Sequence, residues 1–240
     1  MSSVLESVVW GKSPLQLIKQ MKDLDPNKPA VLHIRHSERH KLNTKQTTYL
    51  TALTKTGEKT SYEFGKKLPT NRKYHHFHTI VDRTKETASN IHQGILDNKG
   101  KSTGLSTIPV KTIVDYEANS ELTRKIIQES EDELEVTKKV FYRWLSGYNP
   151  PWVRKSSLVF SQQVASFMMK QLRKEQQNDI HVWVTHDNFI AAFIHHWFGE
   201  YLDDWIDFLE GFIVQFYEDH MVFYFRGTKK QVEYPYWWKI

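Results

Sequence analysis

Apolar positions along the chain switch between two spacings. In "SPLQLIKQMKDLDPNKP", Leu17, Met21 and Leu24 fall on one helical face, with Ser13 placed to cap the helix and Pro14 suited to its first position. "DPNKP" ends that helix, and "AVLHI" (30–34) reads as a short buried strand. A second helix is expected after Thr54, through "TGEKTSYEFGKKLP", with Phe64 and Leu68 on one side. "FHTIV" (77–81) is the next strand and leads into "RTKETASNIHQGILDN", where Ala88, Ile91 and Ile95 form an apolar stripe. "NKGKSTG" reads as a turn and "VKTIVDY" (110–116) as the third strand. Two longer helices, around 129–146 and 156–177, flank "GYNPPW". "IHVWV" (180–184) is the fourth strand, "NFIAAFIHHWF" the helix after it, and "GFIVQFY" and "MVFYFRG" form an antiparallel hairpin across "EDH". In the tail "YPYWWKI" the aromatic residues are expected to seal the sheet edge.

Strand–helix alternation followed by a hairpin predicts an α/β protein: a three-layer α/β/α sandwich with a mainly parallel sheet and an antiparallel C-terminal hairpin. In open sheets of this kind ligands bind at the carboxyl ends of the strands.

Composition narrows the chemistry. Cysteine is absent, so disulfides, thiolate nucleophiles and cysteine-based zinc sites are excluded. No run of about 18 apolar residues predicts a membrane span, and "MSSVLESVVWGKSPLQ" lacks the basic-then-apolar order of a secretory signal. A cytoplasmic location is the expectation. Lys+Arg 33 against Asp+Glu 28 leaves +5, a mild bias toward anionic ligands. The basic residues are scattered rather than gathered into a stripe, which gives nucleic-acid binding little support.

Three strand exits carry the reactive residues. After the first come Arg35, His36, Ser37, Glu38 and Arg39; after the second, Asp82, Arg83, Thr84 and Glu86; after the fourth, Thr185, His186, Asp187 and Asn188. A parallel sheet would bring them together as three arginines and two histidines. Arginine forks suit phosphate oxygens because each donates two parallel hydrogen bonds. The alternatives are a solvated basic turn for "RHSER", a surface pairing of Arg83 with Glu86 on one helix, and a cap-only role for Asp187. A metal site on His33, His36 and His40 would need further ligands that nothing in the sequence specifies. "YHHFH" (74–78) and the pair 195–196 read as surface and packing histidines.

In order along residues 31–190, "RHSER", "LTKTGEKTSYEFGKKL" (53–68), "RTKETA" (83–88) and "VWVTHDNFI" (182–190) resemble the motifs of the histidine phosphatase superfamily, the phosphoglycerate mutase-like proteins. The resemblance implies one domain over residues 1–240, with a helical segment around 115–180 beside the active site. It further implies phosphomonoester hydrolysis through a phosphohistidine on His36, with Arg35, Arg39, Arg83 and His186 binding phosphate and no cofactor or metal. The general acid is open between Asp187, which follows the second histidine as in one branch of the family, and Glu117 or Asp115, placed as in the other. Ser37 stands where the family has glycine, and its hydroxyl could instead cap the following turn. Asn43 lies one place beyond the family's asparagine and takes no role. The expected partner is a small phosphorylated substrate. A phosphoryl mutase and a non-catalytic phosphate-binding module are the alternative functions.

Overall fold

The computed structural model describes residues 3–41, 51–108, 132–148, 155–174 and 178–238. Its helices are α1 (Val4–Ser7), α2 (Lys12–Gln20), α3 (Lys55–Lys67), α4 (Asp82–Asp97), α5 (Glu133–Leu145), α6 (Ser157–Leu172) and α7 (Asp187–Phe198). The strands are β1 (Ala30–Arg35), β2 (Lys73–His78), β3 (Lys101–Thr107), β4 (Ile180–Thr185), β5 (Gly211–Phe216), β6 (His220–Phe225) and β7 (Thr228–Glu233). They form one sheet in the order β3-β2-β4-β1-β5-β6-β7. β1, β2, β3 and β4 are mutually parallel; β5, β6 and β7 continue the sheet antiparallel from β1.

Period-two side-chain alternation splits the core into two layers. Leu32, Ile34, Val182 and Val184 point to one face and pack with Leu17, Phe64, Ala88, Ile91 and Ile95 of α2, α3 and α4. Val31, Trp183, Phe212 and Phe223 point to the other and meet Phe141, Phe160, Phe193 and Trp197 of α5, α6 and α7. The α/β/α expectation therefore holds, and helices cover both faces because both faces are apolar.

α3 and α4 cross closely because each carries a glycine at the contact. A Cβ on Gly65 would lie 2.2 Å from the Ile91 carbonyl oxygen, and one on Gly94 would lie 2.2 Å from that of Tyr62. No side chain fits there.

Several local expectations change. α2 starts at Lys12 with Gly11 before it and no side-chain cap, so Ser13 lies inside the first turn. Pro14 is still tolerated there, where N–H groups lack intrahelical acceptors. α3 starts directly after Thr54 as expected, and the Thr54 hydroxyl caps it, accepting from the Gly57 N–H at 2.9 Å. The second strand runs over 73–78 rather than 77–81, and His75, His76 and His78 are buried in it, not on the surface. "KSTG" opens β3 instead of forming a turn, because pairing with β2 outweighs its weak strand propensity. The strand placed at 110–116 lies outside the described residues. β7, polar and exposed, gave no hydrophobic signal and was not anticipated. In the tail, Trp238 is buried against Trp197, Phe216 and Tyr234. It covers a face of the molecule, whereas β7 forms the sheet edge.

Candidate active site

Strand register brings the two motif histidines together. Arg35 of β1 is paired with Thr185 of β4, so the next residues, His36 and His186, leave the sheet side by side. Their ring centroids are 5.6 Å apart. On the other side of β4, His78 pairs with Val184, which places Thr79 and the start of α4 beside His186. Arg83, in the first turn of α4, reaches both rings: its Nε–H donates to His36 Nε2 at 3.0 Å, and Nη2 lies 3.3 Å from His186 Nδ1.

These contacts define the tautomers. His36 Nδ1 sits 2.7 Å from the Ser37 carbonyl oxygen, which can only accept, so Nδ1 carries the proton. Nε2 is then a bare lone pair, here held by Arg83. Since Arg83 donates to His186 Nδ1, His186 Nε2 carries its proton, 3.2 Å from Thr79 Oγ1. Burial holds His36 well below the ordinary imidazole range, reinforced by the Arg83 and Arg35 charges and by His186. His186 is lowered well below that range too, by burial and then by Arg83, Arg35 and Arg39. Both rings are neutral at physiological pH.

Other motif residues make contacts that hold the loops. Glu38 Oε2 accepts from the Thr54 hydroxyl at 2.6 Å, and a Cβ on Gly57 would lie 2.0 Å from the Glu38 carbonyl oxygen. Glu86 Oε2 accepts from the Leu53 N–H at 2.9 Å. Arg39 is half-buried on this loop, with Nη1 donating to the His40 carbonyl and its backbone bridged to Leu53. Ser37 does not cap a turn. Its N–H donates to Thr87 Oγ1, and its hydroxyl lies 3.0 Å from that of Thr60. A serine serves in the glycine position because its φ is not positive and Thr60 receives its side chain.

Asp187, at the start of α7, accepts from the Asn188 N–H through Oδ1 (2.9 Å) and from the Trp205 indole through Oδ2 (2.9 Å); Oδ2 also pairs with Arg35 Nη2 at 3.1 Å. Glu117 and Asp115 lie outside the described residues, as does Asn43. His33 is buried away from this group, with Nε2 2.8 Å from Thr185 Oγ1. Among the described residues, no three His, Asp or Glu side chains gather as a metal-binding group. His195 is exposed, and His196 meets Ser157 Oγ at 2.9 Å.

Residues 31–210 match the family described as "Histidine phosphatase superfamily (branch 1)". The chain belongs to the histidine phosphatase superfamily. Among solved structures, Bacillus stearothermophilus YhfR aligns with a TM-score of 0.54 at 16% identity, covering 85% of this chain and 96% of that one. A phosphoglycerate mutase from Bacillus anthracis aligns with a TM-score of 0.49 at 15% identity, over 88% of this chain and 94% of its own. A phosphoserine phosphatase mutant from Entamoeba histolytica does so with 0.48 and 15%, over 87% and 98%. At such identities, the YhfR likeness shows the shared fold and no more. Comparison with curated protein sequences gave no match.

Sequence reasoning missed the segment that precedes β5. Phe208 lies over the Arg35 guanidinium at 4.5 Å and 5.9 Å from the His36 ring, and the Ile206 carbonyl accepts from Arg35 Nη1 at 2.6 Å. No motif marks these residues. They arrive because β5 pairs antiparallel with β1, so its entry meets the exit of β1. No helix among the described residues is long and apolar enough to cross a membrane.

Proposed function

We propose that this member of the superfamily is a phosphomonoesterase that works through a phosphohistidine on His36. The observation that carries the reading is the protonation pattern of His36: Nδ1–H committed to the Ser37 carbonyl, and an unprotonated, buried Nε2 beside Arg83. A nucleophilic imidazole needs that tautomer.

A bound phosphate monoester would take the Arg83 donors that now hold Nε2, freeing the lone pair. Nε2 then attacks phosphorus; the N–P bond forms as the P–O bond to the alcohol breaks, and the leaving oxygen takes a proton from a carboxylic acid. In the second step water attacks the same phosphorus, the N–P bond breaks and His36 is restored, with the water proton returning to that carboxylate. Arg35, Arg39, Arg83 and His186 would stabilise the charge on the equatorial oxygens, the main catalytic contribution in phosphoryl transfer. His186, neutral with one N–H, can donate one hydrogen bond. Glu117 and Asp115 are our candidates for the proton donor, on the strength of their sequence positions in one branch of the family.

The rim supports a first choice of substrate. Half-buried Phe208 presents an aromatic ring 5.9 Å from that of His36. Aryl phosphates present a flat apolar alcohol to such a rim.

The test is turnover of 4-nitrophenyl phosphate by the intact chain and by His36→Ala. Loss of about a thousandfold or more in the variant is expected, with 32P from labelled ester trapped on wild-type His36 by an alkaline detergent quench, since the N–P bond survives base and not acid. Equal turnover by both proteins would overturn the assignment.

A further inference from the structure

We propose that residues 205–210, anchored by the pairing of half-buried Arg226 with buried Glu210, form a positioning element that fixes the Arg35 guanidinium, and that Asp187 works within it as an acceptor rather than as the proton donor. The proposal rests on the phosphate-site reading above, but it concerns how one cation of that site is held.

Four contacts converge on Arg35. Nη1 donates to the Ile206 carbonyl at 2.6 Å, Nη2 pairs with Asp187 Oδ2 at 3.1 Å, the Phe208 ring lies 4.5 Å from the guanidinium carbon, and the Arg35 backbone N–H donates to the Glu210 carbonyl at 2.8 Å. Asp187 is itself oriented, because the Trp205 indole N–H donates to the same Oδ2 at 2.9 Å. The guanidinium plane is thereby set from two edges and one face. Its Nε–H has no partner among the described residues. A guanidinium free to rotate loses the fixed fork that makes it selective for phosphate oxygens; holding it in place removes that entropy cost before the ligand arrives.

The segment is held from behind. Glu210 is 2% exposed; one oxygen accepts from Arg226 Nε at 2.7 Å and the other from the Asp207 N–H at 2.6 Å. Arg226 Nη2 also donates to the carbonyls of Asp204 and Trp205 at 3.1 Å each. Leu209 between them adopts φ +54, a left-handed conformation costly for a branched side chain, while its N–H points to the His36 carbonyl at 3.4 Å. Such a conformation persists only where surrounding contacts over-determine it. Here the tight turn joining β6 to β7 supplies them, since Arg226 precedes Gly227 there.

Every described contact of the Asp187 carboxylate is an acceptor contact, spread over both oxygens. A proton donor needs an O–H aimed at the leaving oxygen. Asp187 instead has its lone pairs engaged by Trp205, Arg35 and Asn188.

Three variants test this: Asp187→Asn, Trp205→Phe and Arg226→Gln, each first checked for thermal unfolding. Two readouts follow, the dissociation constant for inorganic phosphate and kcat/KM on 4-nitrophenyl phosphate against an alkyl phosphate. Positioning predicts that Asp187→Asn lowers kcat/KM by roughly tenfold on both esters alike, and that all three variants weaken phosphate binding about threefold or more. A proton donor at Asp187 would instead show a loss at least tenfold greater on the alkyl ester, overturning the proposal. Unchanged phosphate affinity in folded Trp205→Phe and Arg226→Gln would overturn it as well. If wild type hydrolyses no monoester yet phosphate binding weakens in the variants, the phosphatase reading fails and the positioning role stands.

Discussion

His36 is neutral because burial and two guanidinium charges oppose its protonation, and this sets the shape of any pH profile. Its folded value lies below the usual 6.5, so the unprotonated ring that the proposed mechanism requires is already the resident form near neutrality and is lost only well under that pH. Proton nuclear magnetic resonance of the imidazoles should show His36 and His186 flat from pH 8 to 6 without ligand. Arg83→Gln removes the largest charge acting on both rings. The expected outcome is a rise of the His36 titration toward 6.5, an acid limb of kcat/KM moved upward in pH, and a loss of about a hundredfold in rate, the cost of removing one strong transition-state donor. An acid limb that stays in place would show that Arg83 does not set the state of the nucleophile. At this scale the sequence was most legible in which motif residues come together. His36, Arg83 and His186 do meet, and the Arg35 charge acts on both rings. Glu38, Glu86 and Ser37, equally part of the motif strings, turn out to hold neighbouring backbone and side chains. No pattern of spacing distinguishes a charge that binds a ligand from one that binds a loop.

Helix α3 carries two glycines, and the loop it supports holds Arg39. Gly57 abuts the Glu38 carbonyl and Gly65 abuts that of Ile91, so each sits where backbone meets backbone. Gly65→Ala should push α3 from α4 and lower stability by about 1–3 kcal/mol, the usual cost of overpacking, as read from urea unfolding. Gly57→Ala displaces the Arg39 loop instead. It should raise KM for an aryl phosphate by roughly tenfold with a smaller stability loss than Gly65→Ala; the opposite ranking would mean that Gly57 serves the core alone. At the scale of elements, amphipathic helices were read correctly because their apolar stripes are local. β3 and β7 were not, since each exists by pairing with a neighbour distant from any signal in its own residues.

Across the whole molecule, buried histidines link stability to pH. Burial lowers His33, His76 and His181 to about 3. Their unfolded value is near 6.5, so below that pH the unfolded chain binds protons that the folded one refuses. The stability they confer is complete above about 6.5 and falls through the window down to about 3. At pH 5 each contributes about 2 kcal/mol less than at neutrality. Urea midpoints measured at pH 7 and pH 5 should drop sharply, and His181→Phe should flatten that dependence; parallel curves for the two proteins would refute the role of His181.

The sequence by itself determined the candidates for phosphate chemistry, the two-sided sheet and most helices, since residue type and local periodicity are properties of neighbours along the chain. Tertiary structure alone decided that β5 enters beside the exit of β1, that Ile206, Phe208 and Glu210 surround Arg35, and that Asp187 faces both that arginine and the Trp205 indole. Those contacts join positions 35, 187, 205 and 226, and strand pairing between distant segments creates them.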